Sequence, residues 1–248
     1  IQFTSGYAEC GGAIYFLDQG TVTNCNFTGN TATGDGGAVY FNSNGEVTNC
    51  NFADNYATNG GAIYFSDLGT VTNCNFTRNS ASNNSGVVYF KDTGVLSNCN
   101  FINSASKNNG GAVFFEKSGT VTNCNFTGSN ASNNGGAVYF SSDGEVTNCS
   151  FTDSTASNNG GAVYASGTLT VNNSYFENNH ANNTGGAIRV YNGNLKVSNS
   201  TFINNTAKQG GAISPSSNVY VNESSVFMYN KAETGSAISA NNVYINDT

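Results

Sequence analysis

Residues 61–84 read Gly61-Ala62-Ile63-Tyr64-Phe65, Ser66-Asp67-Leu68-Gly69, Thr70-Val71-Thr72, Asn73, Cys74-Asn75-Phe76, then Thr77-Arg78-Asn79-Ser80-Ala81-Ser82-Asn83-Asn84. Three short runs alternate apolar with polar and are separated by turn-formers, so the local period is that of strands. The stretch recurs along the chain. Its Gly-Gly-Ala-Ile/Val word puts an alanine slot at Ala13, Ala38, Ala62, Val87, Ala112, Ala137, Ala162, Ala187, Ala212 and Ala237, at intervals of 24 or 25 residues. A phenylalanine follows nine of these slots by 14 or 15 residues, from Phe27 to Phe227. A period of this size means one supersecondary unit stacked on copies of itself.

Within a rung, Ile63 and Phe65 share one face of the first run, Val71 supplies the second, and Cys74 and Phe76 the third. Between the second and third runs stands an asparagine, at Asn24, Asn49, Asn73, Asn98, Asn123, Asn148, Asn173 and Asn199. Asparagine is the non-glycine residue that best tolerates the left-handed conformation of a sharp corner. Three short strands per rung, an Asn corner and a polar loop describe an all-β, single-stranded parallel β-helix of about ten rungs, continuous over residues 1–248. A lone rung buries too little apolar surface to offset the entropy of ordering its backbone, so only stacking makes the array stable. Ten rungs at strand spacing give a rod roughly 45 Å long.

Charged residues are only 9% of the chain, Pro215 is its single proline, and the net charge is −7. An acidic balance argues against nucleic acid or an anionic membrane surface as partner. No run of about 20 apolar residues exists, so no helical membrane span is expected, and no signal peptide is visible. The pattern is already under way at Phe3 and still running at Val243-Tyr244-Ile245. That predicts an internal segment of a longer chain.

Gly-Gly-Ala-Ile/Val combined with Phe-x-x-Asn resembles the repeats of two surface families: the polymorphic outer-membrane autotransporters of chlamydiae and the adhesin-like proteins of methanogenic archaea. The second word stands at Phe27–Asn30, Phe52–Asn55, Phe76–Asn79, Phe176–Asn179, Phe202–Asn205 and Phe227–Asn230, with Ser104, Ser129 and Ser154 replacing its asparagine in three rungs. The resemblance implies a right-handed helix displayed outside the cell, with adhesion as the usual role. It brings no catalytic residue.

Candidate sites follow from the columns. Tyr15, Tyr40, Tyr64, Tyr89, Phe114, Tyr139 and Tyr164 lie between inward positions and therefore point outward, one per rung, until Arg189 ends the row. They are either a stabilising aromatic stack or a row of platforms for a polysaccharide or a partner surface. Asp67 and Asp92 share a slot on neighbouring rungs and could hold Ca²⁺. Cys25, Cys50, Cys74, Cys99, Cys124 and Cys149 occupy one inward slot, followed by Ser174 and Ser200. Parallel Cβ vectors at strand spacing would strain a disulfide, which favours free thiols. Sequons begin at Asn26, Asn75, Asn125, Asn130 and Asn182, and each asparagine is a glycosylation candidate.

Catalysis finds little support. Paired carboxyl chemistry needs two acids within roughly 5–9.5 Å, whereas Glu46 and Glu145 are four rungs, about 19 Å, apart. His180 has no evident partner in the sequence. The expectation is a non-enzymatic stalk or adhesin segment at the cell surface. The alternatives are a filament subunit stacking end to end with copies of itself and, third, a carbohydrate-active enzyme.

Overall fold

The computed structural model describes residues 1–222 and 224–246. It is all-β: no helix occurs among the described residues, and every strand pairing is parallel to the strand one rung away. Four sheets run the length of the solenoid. Two have ten strands, from Gln2–Thr4 to Val226–Met228 and from Gly20–Thr23 to Asn242–Asn246; one has nine, from Ile14–Phe16 to Ile213–Pro215; one has eight, from Tyr7–Ala8 to His180–Ala181. The register never slips: Ile63 pairs with Val88, Val71 with Leu96 and Phe76 with Phe101.

The rung therefore has four strands where the sequence predicts three. The fourth is the two-residue Ser80–Ala81, set between Tyr56–Ala57 and Ala105–Ser106. Its small inward residue, Ala57, Ala81 or Ser106, is buried. The stretch read as a polar loop is thus a short parallel strand closing the rung.

Left-handed corners turn the chain. The Asn corner adopts φ between 46° and 55° at all eight positions from Asn24 to Asn199. A second corner follows each Phe by two residues, for example Asp54 (φ 57°) and Arg78 (φ 51°). The third is the first glycine of the Gly-Gly-Ala word, as at Gly60 (φ 59°). The second glycine answers a different demand: a Cβ on Gly61 would run into the carbonyls of Gly86 and Ser80. Ser85 takes the first-glycine position once, its hydroxyl donating to the carbonyls of Val88 and Ala112.

The interior consists of columns. Phe65 stacks on Phe90 at 5.1 Å between ring centroids and Phe76 on Phe101 at 4.6 Å, nearly parallel in both cases. Two polar columns accompany them. The Asn55 N–H donates to Asn79 Oδ1 at 2.9 Å, and Asn55 Nδ2 donates to Phe27 O at 3.1 Å and Asn79 Oδ1 at 2.9 Å. This amide ladder occupies the Phe-x-x-Asn slot, fully buried at Asn30, Asn55, Asn79, Asn179 and Asn205. In the three rungs where serine replaces asparagine, the hydroxyls of Ser104, Ser129 and Ser154 are buried without a partner.

The sulfurs form the other column. All seven cysteines are free thiols, and the six in the slot are buried. From Cys50 to Cys149 each sulfur accepts an N–H from the preceding rung: the Cys74 N–H donates to Cys99 Sγ at 3.4 Å, and the Cys99 thiol donates to Ser97 O at 3.1 Å. Hydroxyls continue the column, with the Cys149 N–H donating to Ser174 Oγ at 3.1 Å and the Ser174 N–H to Ser200 Oγ. Hydrogen bonding to Cys124 and burial together push the Cys99 thiol well above the ordinary thiol range.

Candidate functional site

The outward aromatic row begins with strand alternation. Ile63 and Phe65 face the core, so Tyr64 between them faces out. In-register pairing repeats this at every rung, and the rings lie 4.8–5.1 Å apart with interplanar angles of 3–11° from Tyr15 to Tyr164. Stacking buries the faces. Tyr64, Tyr89, Phe114 and Tyr164 are only 7–9% exposed, Tyr40 and Tyr139 are partly buried, and Tyr15 alone is open at 46%.

Of the two readings of this row, open ring faces are confined to its first member, Tyr15. Two of the row's phenolic oxygens are engaged by neighbouring rungs. Tyr40 Oη is 2.7 Å from Ser66 Oγ, and Tyr89 Oη donates to Glu116 Oε2 at 2.9 Å. Desolvation, reinforced at Tyr89 by the bond to Glu116, holds the phenols of Tyr64, Tyr89 and Tyr164 above their ordinary range. From Tyr40 to Tyr139 the row forms a second apolar cluster outside the core.

Asp67 and Asp92 do share a column, but the next residue in it is Lys117. Its Nζ donates to Asp92 Oδ2 at 2.6 Å, and this bond holds the Asp92 carboxyl below the usual carboxylate range. Asp67 Oδ1 and Asp92 Oδ1 accept the N–H groups of Leu68 and Thr93. The lysine thus takes the place the sequence offered to Ca²⁺. No group of three or more His, Cys, Asp or Glu side chains suited to a metal occurs among the described residues.

The five sequon asparagines are exposed. Two belong to a surface amide ladder, in which Asn51 Nδ2 donates to Asn26 Oδ1 and Asn75 Nδ2 to Asn51 Oδ1. Asn182 Oδ1 lies 3.1 Å from His180 Nε2. His180 has partners after all, since its Nδ1 lies 2.7 Å from Thr206 Oγ1. None of them is an acid. Around it, a groove of about 780 Å³ carries Lys208, Lys231 and Glu233, all exposed.

Sequence reading missed three features. The two-residue strand is too short to display alternation. The buried amide ladder was visible as the Phe-x-x-Asn word, but its inward direction depends on the second left-handed corner. The polar recess where the row stops at Arg189 was marked only by the break in the tyrosine column.

A family model described as a right-handed beta helix region matches residues 2–151 and 85–247. No curated protein and no solved structure matches the chain.

Proposed function

The chain belongs to the right-handed β-helix family, and from that premise we propose that it is a rigid, non-enzymatic stalk segment of an extracellular surface protein. The observation that carries this reading is the unbroken register of side-chain columns through four sheets. Stacked phenylalanines and a sulfur–hydroxyl ladder tie each rung to the next, and a buried amide ladder joins the rungs that keep the asparagine. Such an array resists bending, because any hinge would break several columns at once. The likeness of its two repeat words to methanogen adhesin-like proteins and chlamydial surface proteins supports display outside the cell and adhesion through the parent chain. The aromatic row fits a structural stack better than a sugar platform, since its faces are spent on one another.

Electron microscopy of the isolated chain tests the reading. Separate rods of uniform length, roughly 45 Å, are expected. Long fibres would replace the stalk with a filament subunit, and particles without an elongated axis would remove both.

A further inference from the structure

The aromatic row stops where Tyr164 comes into register with Arg189, which in turn pairs with Ser214. Ser239 follows in the same column. Two small residues in succession leave a recess of about 250 Å³, bordered by Arg189, Gln209, Ser214, Ser216, Ser239 and Asn241.

Arg189 is half-buried beside it. Its Nη1 donates to Ser214 O at 2.9 Å and Ser214 Oγ at 3.2 Å, and its Nη2 to Ser216 Oγ at 2.5 Å. All three acceptors are neutral. The ion pairs among the described residues, Arg78–Asp54 and Lys117–Asp92, lie in other rungs. Around Arg189 the composition also changes: residues 178–222 contain Arg189, Lys196 and Lys208 and no Asp or Glu, in a chain of net charge −7.

A guanidinium carries five N–H donors and a fixed charge. Partial burial without a counter-charge is costly, and burial accordingly pulls the Arg189 pKa below its ordinary value. An oxyanion would relieve that cost through charge-assisted bonds. The border of the recess is made of hydroxyls and amides, with Gln209 Nε2 donating to Ser239 Oγ at 3.0 Å. Two residues beyond Arg189, Tyr191 is 52% exposed. Hydroxyl and amide groups around a single guanidinium, with the exposed Tyr191 two residues along the chain, suit a sugar better than an acidic peptide, which is read by a cluster of arginines.

We propose that this recess is an oxyanion site for an acidic saccharide, with Arg189 gripping a carboxylate or sulfate group and Ser214, Ser239, Gln209 and Asn241 meeting the neighbouring hydroxyls. The site does not depend on the stalk reading, for it occupies one place on the rod whatever the rod does.

The test uses the whole chain labelled with ¹⁵N and follows the Arg189 side-chain resonance. It is titrated with a glucuronic acid oligosaccharide, a sulfated glucose oligosaccharide, the neutral glucose oligosaccharide and a glutamate-rich peptide. A saturable shift with either acidic sugar and none with the neutral one is expected, the tighter acidic sugar identifying carboxylate or sulfate as the group. R189Q should weaken that binding about tenfold or more, the loss expected of a charge-assisted bond. S239Y, which extends the aromatic column into the recess, should block binding while keeping the charge. An Arg189 resonance that does not respond to either acidic sugar overturns the site, as does undiminished binding by folded R189Q. Peptide binding as tight as the sugars' overturns the saccharide assignment.

Discussion

At one slot of the rung, sulfur and oxygen are interchangeable, and the reason is the bond they accept. Cys99 Sγ accepts the Cys74 N–H just as Ser174 Oγ accepts the Cys149 N–H. Replacing Cys99 by Ser should therefore cost less than replacing it by Ala, which has nearly the bulk of serine but leaves a buried N–H unpaired. The gap expected in chemical denaturation is about 1–3 kcal/mol, the desolvation cost of an orphaned donor. Equal destabilisation by the two variants would make the column a packing stack only. The asparagine slot offers the converse case. Asn30 and Asn55 complete their ladder, while Ser104, Ser129 and Ser154 are buried with unpartnered hydroxyls. The triple variant S104N, S129N and S154N should restore the amide bonds to the Phe76, Phe101 and Phe126 carbonyls. It should raise the denaturation midpoint without changing the slope, by about 1 kcal/mol per site. A lowered midpoint would mean that these three rungs cannot admit the larger side chain.

At the scale of the strand, phase was legible and exposure was not. Alternation assigned Tyr64 and its equivalents to the outer face, where the structure puts them. An outward residue in an ordinary sheet meets solvent, but identical residues in parallel register meet each other, and ring stacking then closes the surface. Runs of three or four residues revealed their alternation, whereas Ser80–Ala81, with two, could not. Lys117 was legible in principle, because it stands 25 residues after Asp92 in an array of that period. The buried row makes an alkaline prediction. Tyr64, Tyr89 and Tyr164 have phenols raised above their unfolded value, which is about 10. The fold thus favours the neutral form, and that contribution is complete below about pH 10 and lost as pH climbs past it. Melting temperature should fall above that pH, and absorbance at alkaline pH should show a class of phenols that ionises only as the fold loosens. A Y89F variant removes one such phenol and its bond to Glu116, so its alkaline decline should be shallower than that of the parent. An identical decline would place the pH-sensitive groups elsewhere.

For the whole molecule, the 25-residue period carried more than any local propensity, because a stack of like rungs leaves few ways to place its strands. A quasi-one-dimensional array has a further property: each rung contacts only its neighbours, so stability is a sum of rung and interface contributions. Removing one complete rung should then shorten the rod without dismantling it. Deleting residues 110–134 joins Asn109 to Gly135, and Gly135 has the left-handed conformation of Gly110, φ 65° against 64°. Val138, Phe140, Val146 and Phe151 move into the columns vacated by Val113, Phe115, Val121 and Phe126, their present partners one rung away. Tyr89 would stack on Tyr139 in place of Phe114, with Ser141 at the position of Glu116. The expected product is a folded rod shorter by about 4.8 Å with a modestly lower melting temperature, measurable by small-angle scattering and circular dichroism. Deleting only residues 110–121 supplies the contrast, since it brings the second-strand and first-strand columns into conflict and removes a left-handed corner. That variant should lose its cooperative transition. If the whole-rung deletion unfolds as completely as the half-rung one, the rungs are not interchangeable units. The columns would then be stabilised by features particular to individual rungs.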